Sequence, residues 1–303
     1  MPKREFLIDS GEKAGLRLDQ LLAKKIKGVS RSQLQRLIES GRVKVQSKSR
    51  KASYRLKVGE KIEVDYELAQ PAIVRPEAIP LEVIYKDSHF IIINKPSGMV
   101  VHPGAKVNQG TLVNALLYHF PQLKEIGPLS RAGLVHRLDK ETSGLMVVAL
   151  NEEAYHSLQD QFRKRAVEKI YLGLAWGKMG SKEGVFTWSV GRHPKHGQKI
   201  SIRTKKPRLA ETHYKVIKEY GEFTLLQIKP ITGRTHQIRV HLAAAGHPLV
   251  GDKLYGRRRA KINCPCLFLH AHHLSFWHPA TGQKVEYSSP LPSALQRFLE
   301  QLN

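Results

Sequence analysis

Three prolines, Pro71, Pro76 and Pro80, fall in the stretch Gln70–Pro80. Each fixes its own φ and pushes the preceding residue out of the helical region. Neither a helix nor a central strand runs comfortably through such a stretch, so the chain is expected to fold separately on either side of it. The reading is a linker over 71–80, a small domain over 1–70 and a larger one over 81–303. At 303 residues the chain is long enough for two cores. It contains no internal repeat and no low-complexity tract.

Charge narrows the partner class. Lys and Arg number 50 against 26 Asp and Glu, a formal net charge of +24. A field of that size attracts polyanions, with nucleic acid first and an anionic membrane second. The membrane alternative is weak, because uninterrupted apolar runs are as short as Leu145–Leu150 and a span needs about 20 apolar residues. The segment Met1–Lys13 carries Glu5, Asp9 and Glu12 and lacks the apolar centre of a signal peptide. A cytoplasmic protein is expected. Cys264 and Cys266 are its two cysteines, too few for a secreted disulfide framework.

The first segment is legible in detail. Leu18, Leu21 and Leu22 share one helical face. Ser30 and Gln33 have the spacing of a capping box, and Val29 and Leu34 that of a hydrophobic staple. Leu34, Leu37 and Ile38 then form a buried face, and Gly41 is placed to end the helix. Val43 with Val45, and Ile62 with Val64, read as short strands. Seven basic residues and no acidic one fall between Arg42 and Lys57. Taken alone, this describes a small helical module with a solvated charged face. The order Arg17-Leu18-Asp19, Ser30-Arg31-Ser32-Gln33 and Ile38-Glu39-Ser40-Gly41-Arg42-Val43 also resembles the S4 RNA-binding domain. That resemblance implies an α/β ledge contacting RNA, with Arg17, Arg31, Arg36, Arg42 and Lys44 as contact residues.

The larger segment alternates strands and helices. Phe90–Ile93, Leu145–Leu150, Lys169–Trp176 and Phe223–Lys229 read as strands. Thr111 and Asn151 are placed as helix caps, the second helix turning Leu158 and Phe162 inward. Thr235–Ala245 reads as a helix, with Ile238, His241, Leu242 and Ala245 on one face and Gly246 as its stop. The expected class is α+β: a mixed, mostly antiparallel sheet with flanking helices.

Two segments concentrate chemistry. Gly133–Gly144 holds Asp139, Glu141, His136, Arg137, Lys140, two hydroxyls and flanking glycines just before a buried strand. A plain turn with local hydrogen bonds from Asp139 or Thr142 accounts for it equally well. Thr232–His241 clusters Arg234, His236 and Arg239 around a helix start after Gly233, which suits a phosphate. The alternative is a polar helix face with His241 satisfied in the core. Cys264 and Cys266 precede His270, His272 and His273, but their spacing fits no standard structural zinc site. No metal is expected. Arg192–Arg208 holds seven basic residues and no acidic one, and reads as an RNA-facing arm or a solvated loop.

Together the segments resemble the pseudouridine synthases that modify ribosomal and transfer RNA. His136-Arg137-Leu138-Asp139-Lys140-Glu141-Thr142-Ser143-Gly144 is similar to the family signature around its catalytic aspartate. Asn94–Pro103 and Gly233–Arg239 are similar to its upstream and downstream motifs, and Lys169-Ile170-Tyr171-Leu172 to the strand bearing its tyrosine. Gly173 stands where the family pattern has Ala. Arg192-His193-Pro194 and His247–Asp252 resemble the family branch that modifies the large ribosomal RNA, pseudouridine synthase D. The resemblance implies catalytic Asp139, Tyr171 and Arg239, RNA contacts from Arg137, His136, Arg234 and His236, and no cofactor; a monomer is expected. It implies large-subunit ribosomal RNA as partner and substrate, with the loop of helix 69 as target.

The chemistry is consistent with these residues. Uridine isomerisation breaks the N1–C1′ bond and forms C5–C1′, so nothing is oxidised and no group is donated. A carboxylate can attack or deprotonate the nucleoside, as glycosidase carboxylates do. Asp139 fills that role whether it attacks C1′, attacks uracil C6 or removes the C2′ proton. Arg239 is expected to hold it ionised through a bidentate pair. Tyr171 is expected to stack on uracil and its hydroxyl to assist removal of the C5 proton. Arg137 is expected to fill the space of the extruded base, unless a structural salt bridge holds it. Two other functions compete: an assembly factor without catalysis, and a metal-dependent nuclease or phosphatase using Asp139 and Glu141. The complete set of Asp139, Tyr171 and Arg239 opposes the first, and the shortage of carboxylates opposes the second.

Overall fold

A computed structural model of the chain describes residues 3–9, 15–26, 29, 31–65, 74–104, 107–196, 199–256 and 262–302. The chain divides into two compact units, Met1–Ile73 and Val74–Asn303. Among the described residues no helix is long and apolar enough to cross a membrane.

The N-terminal unit runs β1 (Lys3–Leu7), α1 (Leu18–Lys25), α2 (Arg31–Glu39), β2 (Val43–Val45), β3 (Lys48–Ser49) and β4 (Lys61–Asp65). The strands form an antiparallel sheet in the order β1-β4-β2-β3. Leu18, Leu21 and Leu22 of α1 meet Leu34 and Ile38 of α2, and Val43, Val45, Ile62 and Val64 close the core beneath them. Gly41 adopts φ +76° just after α2, as a helix stop requires. The cap expected at Ser30 lies outside the described residues.

Asp19 is the polar centre of this unit. It is fully buried and receives Arg17 Nε at 3.0 Å, Arg31 Nη2 at 2.8 Å and Gln35 Nε2 at 2.8 Å. Burial pushes its pKa up, but the hydrogen bonds from Arg17, Gln35 and Arg31 outweigh burial and hold it well below the usual carboxylate range. Arg31 and Gln35 thereby tie α2 to α1, and Arg17 braces the start of α1, while the Arg17 and Arg31 side chains remain 39% and 48% exposed. Arg36, Arg42 and Lys44 are exposed, and no ion pair engages them among the described residues.

The second unit runs β5 (Glu82–Lys86), β6 (Phe90–Lys95), α3 (Leu112–His119), β7 (Ser143–Ala149), α4 (Glu152–Lys164), β8 (Glu168–Trp176), β9 (Glu183–Phe186), β10 (Gly191–Arg192), β11 (Ile200–Ser201), β12 (Thr212–Tyr220), β13 (Phe223–Pro230), α5 (Gln237–Ala244), β14 (Leu269–Trp277), β15 (Lys284–Ser288) and α6 (Ser293–Glu300). Nine strands make one sheet, β5-β6-β7-β14-β8-β13-β12-β9, with β15 also on β14. Both caps read from the sequence are present: Thr111 forms a capping box with Asn114, and Asn151 Oδ1 accepts from Ala154 N–H at 2.8 Å.

One strand pair positions the site. β7 meets β14 in parallel, through His270 opposite Ser143 and Ala271 opposite Gly144. Beyond that point β15 takes over the same edge of β14. The other pairings in the sheet are antiparallel. Gly144 has φ +116°, and a Cβ there would collide with the Ala271 backbone. Only glycine lets the two backbones approach, and the loop carrying Asp139 enters the sheet at that point. Gly173 on β8 faces Ile228 and Leu249, whose side chains occupy the space an alanine methyl would need.

The second half of the expected linker belongs to this unit. Val74 is buried in its main core, and the Glu77 carboxylate accepts the Gly110 N–H at 3.0 Å. Residues 71–73 lie outside the described residues.

Replacing Asp19 with alanine is expected to lower stability by about 1–3 kcal/mol, the scale of hydrogen bonds to a charged group. The carboxylate's contribution is present above its unfolded pKa, near 3.8, and is lost as pH falls through the lower folded value. Chemical denaturation of both proteins across pH checks this: the gap should stay constant from neutrality to about pH 4 and close in stronger acid.

Candidate active site

A cavity of about 450 Å³ opens beside the start of β7. Its walls come from the loop before β7 (Val135–Asp139), the end of α4, β8, and the turn from Pro230 into α5. Six cationic side chains line it, Arg137, Arg163, Arg165, Lys169, Arg234 and Arg239, and Asp139 is the one carboxylate among the described lining residues. Such a cavity suits a polyanionic substrate reacting at a single acidic group.

Asp139 opens a tight turn closed by Thr142 N–H donating to Asp139 O at 3.1 Å. The upstream motif clamps that turn from behind. Lys95 is almost fully buried, and its ammonium donates to Pro96 O at 2.7 Å, Met99 O at 3.0 Å and Lys140 O at 3.1 Å. Ser97 Oγ donates to Glu141 O at 2.6 Å, and Gly98 N–H donates to Lys140 O at 2.9 Å. Burial lowers the Lys95 pKa to about 8, against the charges of Glu141 and Asp139, so it remains a cation at neutral pH. Sequence reasoning marked Asn94–Pro103 as a motif; that its lysine points inward to hold the Asp139 loop was not visible.

Arg239 lies on the first turn of α5 and is buried. Its fork does not grip Asp139. Nε and Nη2 bind Asp252 Oδ2 and Oδ1, each at 2.8 Å, while Nη1 stands 3.7 Å from Asp139 Oδ2. The expected bidentate pair with Asp139 is thus corrected. Asp252 takes the fork because it sits fully buried beneath α5, in a turn whose Leu254 and Tyr255 N–H groups it also accepts. Asp139 keeps a charge contact, with oxygens left to face the cavity.

His236 stands 4.0 Å from the same Asp139 oxygen. It caps α5 from a left-handed conformation, φ 53° and ψ 20°, costly for a residue with a side chain and common at functional sites. Its Nδ1 lies 2.8 Å from Tyr255 Oη, and that oxygen accepts the Ile200 N–H at 2.8 Å. The hydrogen bond to Tyr255 fixes the ring with its Nε2 on the Asp139 side. Burial lowers the His236 pKa, opposed by Asp139. The Tyr255 ring also carries the Arg239 guanidinium, 5.1 Å from its centroid. Asp252 and Tyr255, which hold Arg239 and His236, are the supporting residues missed by sequence reasoning. The signal was the His247–Asp252 motif, read there only as a mark of a branch.

Tyr171, on β8, lines the cavity beside Asp139. Burial first, and the Asp139 charge second, hold its phenol well above the ordinary value of 10. It offers a ring face and a neutral O–H rather than a phenolate. His136 is held neutral: burial first, and the Lys169 charge second, lower its pKa to about 3. The neutral ring stacks on Phe162 at 4.5 Å and its Nε2 accepts the Val147 N–H at 3.1 Å. Arg137 is exposed on the cavity wall, and no hydrogen bond or salt bridge engages it among the described residues. Arg234 is half-buried and donates from Nε to Leu209 O at 3.1 Å. His241 is buried between Thr212 Oγ1 and Trp188 O, as a core histidine.

The cysteine and histidine grouping does not converge. His270 hydrogen-bonds Ser143, His272 bonds Ser289 O and His273 bonds Ser288. Among the described residues no cluster of His, Cys, Asp and Glu is placed to hold a metal ion. Glu141 is absent from the cavity lining. The basic stretch Arg192–Arg208 is anchored by the β10–β11 pair, with Ile200 packed near Val190, Ala210, Val240 and Tyr255. Residues 197–198 at its tip lie outside the described residues.

The family model described as RNA pseudouridylate synthase matches residues 89–244, just over half of the chain and all the cavity-lining residues except Leu269. The chain belongs to the RNA pseudouridine synthase family. The S4 domain model matches residues 16–62. The ribosomal large subunit pseudouridine synthase D of Nitrosomonas europaea is 44% identical over 95% of this chain and 84% of its own. An uncharacterised RNA pseudouridine synthase of Synechocystis is 42% identical over 98% of this chain and 94% of its own. Among solved structures, human RNA pseudouridylate synthase domain containing 1 superposes with a TM-score of 0.58 at 28% identity, covering 75% of this chain and 96% of that one. This pseudouridine synthase is an RNA isomerase with an S4 domain, as its sequence motifs imply.

Replacing Lys95 with methionine is expected to leave buried carbonyls without donors, at a cost of about 1–3 kcal/mol. Because the Lys140 carbonyl is one of them, turnover should fall even in protein that remains folded. Thermal denaturation together with single-turnover kinetics below the melting transition checks both parts.

Proposed function

We propose that this pseudouridine synthase converts uridines of large-subunit ribosomal RNA, with the loop of helix 69 as its target. The observation that carries the chemistry is Asp139, the single carboxylate among the described residues lining a cation-rich cavity, set between Tyr171 and Arg239. What supports the RNA target is the resemblance to synthases named for the ribosomal large subunit, at 38–44% identity.

In this reading the target base leaves its stack and enters the cavity, at a cost of a few kcal/mol. Arg137, exposed on the wall, fills the space it vacates. The uracil lies against the Tyr171 ring, and the phenol O–H is the local donor. Asp139 attacks or deprotonates the nucleoside. Arg239 and His236 flank and aim its carboxylate, and Asp252 and Tyr255 hold those two groups in place. Bond cleavage and re-formation stay within one nucleotide, so the residues present suffice without a cofactor. Arg36, Arg42 and Lys44 of the S4 unit dock the RNA through phosphates. The reading is of a cytoplasmic enzyme acting as a monomer.

Asp139→Asn keeps the shape of the side chain and loses its charge. It is expected to hold RNA within a few fold of wild type and to turn over below about 1% of it, a barrier increase near 3 kcal/mol. Tyr171→Phe is expected to bind normally and react more slowly. Filter binding and tritium release from labelled uridine separate the two quantities.

The target follows from a different measurement. Pseudouridine mapping of total RNA from cells with and without this protein should lose signal in the helix 69 loop. Loss confined to transfer RNA would overturn the ribosomal assignment and leave the chemistry standing.

A further inference from the structure

The cations of the cavity are not neutralised alike. Arg239 is met by Asp252 and Asp139. Arg163 pairs with Asp160 on its own helix. Arg165 and Lys169 have no carboxylate partner among the described residues. They stand on either side of the turn from α4 into β8 and line the same wall.

We propose that Arg165 and Lys169 form a subsite for one backbone phosphate of the RNA, adjacent to the uridine held on Tyr171. The proposal rests on the assignment of the cavity to a uridine. Three observations lead to it.

First, Lys169 and Tyr171 are two residues apart on β8, so they project to the same face with Cα atoms about 6.6 Å apart. A base lying on the Tyr171 ring puts a phosphate of its own strand within reach of the Lys169 ammonium.

Second, Lys169 is only partly exposed and its ammonium lies 5.8 Å from the Phe162 ring centroid. Phe162 in turn stacks on His136. This apolar backing directs the ammonium to the cavity and denies it a full water shell.

Third, the groups facing Lys169 are cationic or neutral. Burial and the Arg165 charge both lower its pKa. His136 facing it is neutral, and Glu168 beside it is taken by Lys229 at 2.6 Å. Two like charges held together without a counter-ion cost free energy that an arriving phosphate returns. The left-handed backbone of Arg165, φ 61°, ends α4 and brings its side chain to the cavity rather than along the helix.

The test has two arms. In the first, wild type, Arg165→Gln, Lys169→Gln and Lys169→Arg bind transcribed large-subunit ribosomal RNA across a salt series. Each Gln variant is expected to weaken binding several-fold and to reduce the salt slope by about 1, the signature of a lost phosphate contact. Lys169→Arg should retain the wild-type slope. An unchanged slope in both Gln variants overturns the subsite wherever the target uridine lies.

In the second arm, a helix 69 stem-loop carries a neutral methylphosphonate 5′ or 3′ of the target uridine. At one of the two positions the neutral linkage should weaken wild type roughly tenfold and Lys169→Gln less than twofold, the coupling expected of partners in contact. Equal penalties in both proteins at both positions overturn the proposal. Failure of wild type to convert the unmodified stem-loop would count against the assigned target instead, and the first arm would then decide the subsite.

Discussion

Arg239 is buried, so its charge must be met inside the protein, and Asp252 meets it with both oxygens. The rest of the site depends on that pair. It ties the first turn of α5 to the turn after Gly251, and so places Tyr255 under the guanidinium and against His236. One nitrogen is left over, and it faces Asp139 at 3.7 Å. Had Asp139 taken the whole fork, its oxygens would have been spent on hydrogen bonds. The arrangement separates two needs: Asp252 satisfies the buried charge, and Asp139 keeps its oxygens toward the cavity.

The same division of labour recurs in the backbone. The turn that presents Asp139 is held by Lys95, Ser97 and Gly98 through carbonyl oxygens, not through the carboxylate. Its exit into the sheet is held by the parallel contact of Gly144 with Ala271. Support from behind leaves the front of the loop free for substrate. In the N-terminal unit Asp19 has the opposite fate: three side chains consume its oxygens, and it serves only to join two helices.

Electrostatics links the site to its substrate. A cavity with six lining cations and one carboxylate among the described residues is poorly balanced when empty. An RNA strand restores the balance, which favours entry of a nucleotide with its phosphates over a free base.

Much of this was legible in the residues. The periodicity of Leu18, Leu21, Leu22, Leu34 and Ile38 determined the first core, because a helical face can be read from spacing alone. The caps at Thr111 and Asn151, the strand at Leu145–Leu150 and the crowding of charge around Asp139 are local properties, and they appear where local chemistry placed them. Pairing was not legible. Arg239 with Asp252, Arg17 and Arg31 with Asp19, and Lys95 with three carbonyls each require knowing which side chains share a buried space. Charge state was equally hidden, since burial and the Lys169 charge take His136 far below the ordinary imidazole range. The sequence by itself determined which groups are available and on which element each sits. Tertiary structure decided which of them neutralise one another and which are left for the substrate, because desolvation and distance, the two quantities that set those pairings, exist only in the folded chain.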